Sequence, residues 1–165
     1  MVNAITTNLT GFFREPHHFE FLAEEALGPI VKSRLSVDRR LRIWSAGCSS
    51  GEEPYSIAMT VQTVLSNDAN WDAKILATDI DTQMVATAQA GLYPAERSAS
   101  IPAAMKRLYV RQQGNENIRT ADPLKSLIAF KALNLFDRWP MKGPFDAIFC
   151  RNVIIYFDNA AKRAF

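Results

Sequence analysis

Residues 44–58 read Trp44-Ser45-Ala46-Gly47-Cys48-Ser49-Ser50-Gly51-Glu52-Glu53-Pro54-Tyr55-Ser56-Ile57-Ala58. The apolar run from Leu41 to Ser45 breaks at Gly47, and from Gly51 a second pattern opens that carries Ile57, Ala58, Val61, Val64 and Leu65 at helical spacing. This is a strand, a tight turn and a helix. The unit recurs downstream: Lys74 to Thr78 reads as a second strand, and Asp81 to Ala90, with Met84, Val85 and Ala88 on one face, as a second helix. Leu127 to Leu135 predicts a third strand, and Phe145 to Cys150 a fourth, after a loop bounded by Pro140 and Pro144. Strands alternating with helices predict an α/β fold: a mostly parallel sheet with right-handed crossovers and helices on both faces.

Upstream, Pro16 stands where a helix would start, and Phe19, Leu22, Ala23, Ala26, Leu27, Ile30 and Val31 follow at spacings of three and four. A helix is expected from Pro16 to about Arg34. Between Gly91 and Asp122 the pattern is broken by Pro94 and Pro102; Pro102 to Leu108 reads as a short helix and Gly114-Asn115 as a hairpin turn.

The bulk composition narrows the function classes. A chain of 165 residues holds one domain with a single core, and +2 net charge, from 19 basic and 17 acidic residues without a single-sign run, gives no case for nucleic acid or a membrane surface. Cys48 and Cys150 lie far apart, with no C-x-x-C and no histidine at metal-ligand spacing, so neither a disulfide framework nor a metal site is expected. Both read as small residues packed at strand ends. With no apolar run long enough to span a bilayer and no signal-like start, the expected compartment is the cytoplasm.

Ligands of open parallel sheets lie beyond the carboxyl ends of the strands. The first strand ends in the Gly47 to Glu53 turn, where glycines permit close backbone approach, and the second ends in Asp79 and Asp81. An acid at the end of the second strand is placed to accept from ribose hydroxyls, which points to an adenosine-containing ligand. The spacing Gly47-x-x-x-Gly51 departs from G-x-G-x-x-G, and Glu52 and Glu53 after it would repel a pyrophosphate at that helix start. S-adenosylmethionine carries no phosphate, and its cationic amino group and sulfonium suit Glu52 or Glu53. His17 and His18 read as solvated residues of a first helical turn and stay outside the site.

Residues 8–19, Asn8-Leu9-Thr10-Gly11-Phe12-Phe13-Arg14-Glu15-Pro16-His17-His18-Phe19, resemble the T-x-F-F-R-E-x-x-x-F segment of the CheR family, the S-adenosylmethionine-dependent enzymes that methylate glutamates of chemotaxis receptors. The segment 44–58 resembles that family's glycine motif, Ala77-Thr78-Asp79-Ile80-Asp81 its second-strand motif, and Asn134-Leu135 and residues 145–157 its later motifs. The resemblance implies a Rossmann-like methyltransferase fold. It also implies that Asn8, Thr10 and Arg14 reach the cofactor from before the sheet, that Glu53 at the Gly47 turn holds its methionine end, and that Asp79 holds its ribose. Asn134 with Leu135, and Arg151 with Asn152, would line its adenine and methionine sides, and Tyr156 would face the methyl group. Arg14 and Tyr156 are the implied catalytic pair.

Transfer of a methyl group from a sulfonium to a carboxylate needs no general base, because a glutamate of ordinary pKa, near ~4.3, is already ionised at neutral pH. The enzyme's task is alignment and exclusion of water. Set against the family pattern, residues 1–35 read as a linker segment and helix bearing the F-F-R-E motif. Residues 36–165 read as an S-adenosylmethionine-binding α/β domain that is incomplete at its C-terminus, with neither the helical domain expected before it nor the strands expected after it. The expected partners are the cytoplasmic domains of chemotaxis receptors, with self-association through an exposed sheet edge. The alternative reading is a sensory module that binds S-adenosylmethionine or its product S-adenosylhomocysteine without methylating a receptor.

Overall fold

The computed structural model describes residues 10–34, 38–66, 68 and 70–151. The first helical stretch runs where the apolar spacing places it but changes its winding midway. It consists of α1 (His17–Phe21), a π-helical stretch Leu22–Leu27 and α2 (Gly28–Arg34). The reason lies in Leu22 and Leu27, which are both buried. Five residues of α-helix turn through about 500° and would leave the two some 140° apart, whereas i→i+5 winding brings both to the core.

The central sheet contains β1 (Arg40–Ala46), β2 (Asp72–Asp79), β6 (Ile128–Ala132) and β7 (Ala147–Phe149), all parallel, in the order β6-β2-β1-β7. These are the four strands expected, and the chain order across the sheet is third, second, first, fourth. The direction of winding therefore reverses between β1 and β7, and the crevice at their carboxyl ends is the place where such sheets bind ligands. Both faces of β1 are covered, as a central parallel strand requires. Ile43 lies in the main core, while Trp44 packs on the rings of Trp139 and Phe145 at 4.8 and 5.6 Å and donates its indole N–H to Thr78 Oγ1 at 3.0 Å.

Two strand boundaries differ from the sequence reading. The third strand stops at Ala132, not Leu135, because Asn134 turns the chain by accepting the Phe136 N–H on its side chain at 3.1 Å. The fourth starts at Ala147, not Phe145, because Asp146 takes the Arg42 N–H on its carboxylate at 2.8 Å.

Helix α3 (Glu52–Val64) follows the glycine turn, and α4 (Thr82–Ala90) follows β2, capped by Asp81, whose carboxylate accepts from Gln83 N and Met84 N. The broken region is a three-stranded antiparallel insertion, β3 (Leu92–Pro94), β5 (Asn117–Thr120) and β4 (Val110–Gln113) in that order, with a 3₁₀ turn Ala95–Ser100 and the expected short helix α5 (Ala103–Tyr109). Gly114, at φ +66°, turns the hairpin between β4 and β5. A short α6 (Asp122–Lys125) leads into β6.

Phe12, Phe13, Phe19, Leu22 and Leu27 belong to the same apolar cluster as Ile43 and Ile75. The F-F-R-E segment is thereby held against the sheet.

Candidate functional site at the carboxyl rim of the sheet

The chain leaves β1 through Gly47, whose φ of +78° is open to glycine, and turns toward β2: the N–H groups of Gly47 and Cys48 both donate to the Thr78 carbonyl, at 2.8 and 2.9 Å. The turn closes at Gly51, φ +99°, where a Cβ would stand 2.7 Å from Ala88 Cβ and 2.9 Å from the Tyr93 hydroxyl. Only glycine fits there. Tyr93 fixes the same turn by donating its hydroxyl to the Ser50 carbonyl at 2.7 Å.

The two glutamates that follow have different surroundings. Glu52 is fully buried and accepts from Ser50 Oγ at 2.6 Å and from Arg97 of the 3₁₀ turn, so its charge is matched inside the fold. Glu53 faces the end of the sheet. It accepts from Ser45 Oγ at 2.8 Å on one oxygen and lies 3.5 Å from Arg151 Nη1 on the other. Burial raises its pKa above the ordinary carboxylate range, against the lowering effect of Ser45 and of the Arg151 and Arg14 charges. Of the two glutamates, Glu53 is the one placed to pair with a cation.

Asp79, at the end of β2, is buried and accepts the N–H of Ser49 at 2.7 Å and of Asp81 at 2.9 Å. Ile80 also donates to it, and a carboxylate's roughly four lone-pair sites leave room for a further donor. Burial again raises the pKa, in spite of these backbone donors. The Asp79 carbonyl accepts the Leu133 N–H at 2.9 Å, which brings Asn134 and Leu135 beside it; the Leu135 carbonyl is taken by the Trp139 indole at 3.1 Å. Asp79 and Glu53 both act on Cys48, whose thiol is pushed far up, by burial first and then by these two negative charges. The two carboxylates therefore flank the glycine turn. Cys150, pushed up to about 11 by burial, also senses Glu53. Both thiols stay protonated and inert at neutral pH.

The F-F-R-E turn closes the rim from the other side. The Phe13 N–H donates to Ser56 Oγ of α3 at 2.9 Å, and Ser100 Oγ donates to the Phe12 carbonyl at 2.6 Å. From the end of β7, Arg151 Nη2 donates to the Arg14 carbonyl at 2.8 Å and to Glu15 Oε2 at 2.7 Å, and its Cζ lies 5.8 Å from the centre of the Phe19 ring. Arg151 Nε is buried with no partner among the described residues. An orphaned buried donor of this kind calls for an acceptor. Arg14 is half-buried on the same turn; the Arg151 hydrogen bond first, and the Arg14 charge last, hold the Glu15 carboxyl below its ordinary range, while at Glu53 the Arg14 charge only partly opposes the rise caused by burial.

Arg14, Gly47, Glu53, Asp79, Asn134, Leu135 and Arg151 are thus brought to one rim of the sheet, joined by the hydrogen bonds above. Thr10 opens the first described stretch just ahead of the F-F-R-E turn. Asn8, Asn152 and Tyr156 lie outside the described residues. Three partners were not singled out from sequence: Ser45, Glu15 and Arg97. Ser45 was within reach as the last polar residue before the glycine turn, but nothing local marks Arg97, 45 residues from Glu52.

The donor set fits S-adenosylmethionine. Two carboxylates whose burial disfavours their charge are relieved by a cation and by ribose hydroxyls, and the orphaned Arg151 Nε suits a carboxylate. A phosphate does not fit, because the first turn of α3 carries Glu52 and Glu53.

A family model described as CheR methyltransferase, SAM binding domain, matches residues 8–165. A probable chemotaxis protein methyltransferase of Rhizobium etli is 48% identical over 162 residues, covering 96% of this chain and 60% of that protein. A chemotaxis protein methyltransferase of Borreliella burgdorferi is 43% identical, covering 98% of the chain and 58% of that protein, and chemotaxis protein methyltransferase 2 of Pseudomonas aeruginosa is 47% identical, covering 96% and 56%. The chain spans somewhat more than half the length of these relatives.

Proposed function

The chain belongs to the CheR methyltransferase family and carries its S-adenosylmethionine-binding domain, and from that premise we propose that the protein methylates glutamate side chains of chemotaxis receptors. The observation that carries the cofactor's placement is two carboxylates at one rim whose charge burial disfavours, half-buried Glu53 and buried Asp79, beside Arg151, which among the described residues keeps a buried N–H without an acceptor.

In this reading Glu53 pairs with the amino group of the cofactor, Asp79 accepts from its ribose, and Asn134 and Leu135 flank its adenine. Thr10, Gly47, Arg151, Asn8 and Asn152 complete the enclosure. S-adenosylmethionine supplies, when bound, a methyl carbon made electrophilic by its sulfonium. The chain's own residues orient and exclude: Arg14 and Tyr156 align the incoming carboxylate, and the enclosed site keeps water out. No residue is needed as a base, because the acceptor is ionised at neutral pH.

Residues 1–35 deliver the F-F-R-E turn, and residues 36–165 form the cofactor-binding domain. The protein works in the cytoplasm, on the cytoplasmic domains of receptors. Among the described residues no helix is long and apolar enough to cross a membrane. Among the described residues β7 is an outer strand of the sheet, and copies of the chain associate through its edge.

The test is transfer of labelled methyl from S-adenosylmethionine to a receptor cytoplasmic domain. Base-labile label on glutamate is expected. Tight cofactor binding without any label on receptor would move the protein to the sensory-module reading.

A further inference from the structure

Arg151 is shared unevenly between two carboxylates. Its Nη2 lies 2.7 Å from Glu15 Oε2 and 2.8 Å from the Arg14 carbonyl, whereas Nη1 lies 3.5 Å from Glu53 Oε2. A guanidinium holds five N–H donors in one rigid plane. The two on Nη2 are committed to the F-F-R-E turn, and the Phe19 ring supports the group at 5.8 Å. Glu53 receives only the long contact. Glu15 reaches Arg151 from a left-handed backbone, φ +58°, two residues after Phe13 at φ +49°. Such conformations persist in non-glycine residues only where the surroundings impose them. Here Ser56 and Ser100 do so, through the N–H of Phe13 and the carbonyl of Phe12.

We propose that Glu15 is a positioning residue that, by holding Arg151 on the F-F-R-E turn, keeps Glu53 open to the ammonium group of the cofactor. The proposal rests on the reading of Glu53 given above. Glu15 itself does not touch the ligand. Without it Nη2 loses its charged acceptor, and the carboxylate already nearest the guanidinium is Glu53. Closing the 3.5 Å contact into a direct ion pair would cancel the charge of Glu53 and occupy one of its oxygens, while Ser45 holds the other. A cationic ligand would then have to displace an arginine before it could pair. The loss should fall on ligands that carry the amino-acid portion and spare those that do not.

The experiment is calorimetric titration of the full chain with S-adenosylhomocysteine and with 5′-methylthioadenosine, which keeps adenine, ribose and sulfur but lacks the ammonium and carboxylate. The variants are Glu15→Ala, Glu15→Gln, Glu53→Gln and the double variant Glu15→Ala/Glu53→Gln. Glu15→Ala is expected to weaken S-adenosylhomocysteine about tenfold, the scale of one charge-assisted contact, and to leave 5′-methylthioadenosine unchanged. Glu15→Gln, which keeps the acceptor oxygen, should recover part of the loss. In the Glu53→Gln background, Glu15→Ala should add nothing. Equal weakening of both ligands, or a full additional loss on top of Glu53→Gln, would show Glu15 to be merely structural and overturn the proposal, as would unchanged S-adenosylhomocysteine binding by Glu15→Ala. If Glu53→Gln alone bound S-adenosylhomocysteine like the parent, the assignment of Glu53 would fall first and take the proposal with it.

Discussion

The two rims of the parallel sheet handle charge in opposite ways. At the amino ends of the strands the acids are matched to arginines: Asp146 accepts Arg34 Nη2 at 2.7 Å and the Arg42 N–H at 2.8 Å, Asp68 pairs with Arg39 at 3.0 Å, and Asp72 pairs with Arg42. Arg42 holds the Asp72 carboxyl below its ordinary pKa, and the Asn70 N–H does the same for Asp68. At the carboxyl ends Glu53 and Asp79 sit above the ordinary range, because burial outweighs what their partners supply. The first rim stabilises the charges it carries. The second matches Glu52 and Glu15 to arginines but holds Glu53 and Asp79 at a cost, the arrangement expected where a ligand completes the site.

The contrast predicts which changes touch the fold and which touch only binding. The largest effect should come from Gly51→Ala, since the new Cβ meets Ala88 and the Tyr93 hydroxyl at under 3 Å on a left-handed backbone. A stability loss of about 2–5 kcal/mol is expected by urea denaturation. An unchanged midpoint would mean that the turn can open, and the rim would then not be preformed.

Asp79→Ala should come next, and on binding: S-adenosylhomocysteine affinity should fall by roughly 1.5–3 kcal/mol in a calorimetric titration. Asp146→Ala at the opposite rim should do the converse, lowering stability by about 1–2 kcal/mol because it strands the Arg42 N–H, while leaving the ligand affinity intact. An affinity loss in Asp146→Ala as large as that in Asp79→Ala would erase the distinction between the rims. The smallest effect is expected at the half-exposed Arg39 and Asp68 pair, where Arg39→Ala should leave both melting temperature and affinity within experimental scatter.

Much of this contrast was legible in the sequence, and the rest was not, for physical reasons. The four strands, the helices after Gly51 and Asp81, and the hairpin turn at Gly114 follow from apolar period and turn chemistry, which are local. The π-helical stretch at Leu22–Leu27 was hidden because its apolar residues also satisfy a 3.6 period over short windows. Strand β3 was masked by Pro94, which ends a strand of only three residues. At the site, Asp79 declares itself by ending β2, and Glu53 by opening the helix after the glycine turn. That Glu52 is spent on Arg97, and that Glu15 and Glu53 share Arg151, depends on contacts between distant segments that no local pattern encodes.

In the proposed site, the carboxyl rim holds S-adenosylmethionine through ionised Glu53 and Asp79. The most direct test is the affinity of the chain for S-adenosylhomocysteine, measured by calorimetry from neutral to mildly acidic pH. Both groups have raised pKa values, so each takes up its proton at a pH above the ordinary carboxylate range, and the form that pairs with the cation and the ribose is lost as pH falls through those values. The account predicts tight one-to-one binding at neutral pH that weakens on acidification before an ordinary carboxylate would titrate, with the acid limb altered in Glu53→Gln and Asp79→Asn. Binding at neutral pH that is absent, or present but unaffected by acidification and by both substitutions, would contradict it.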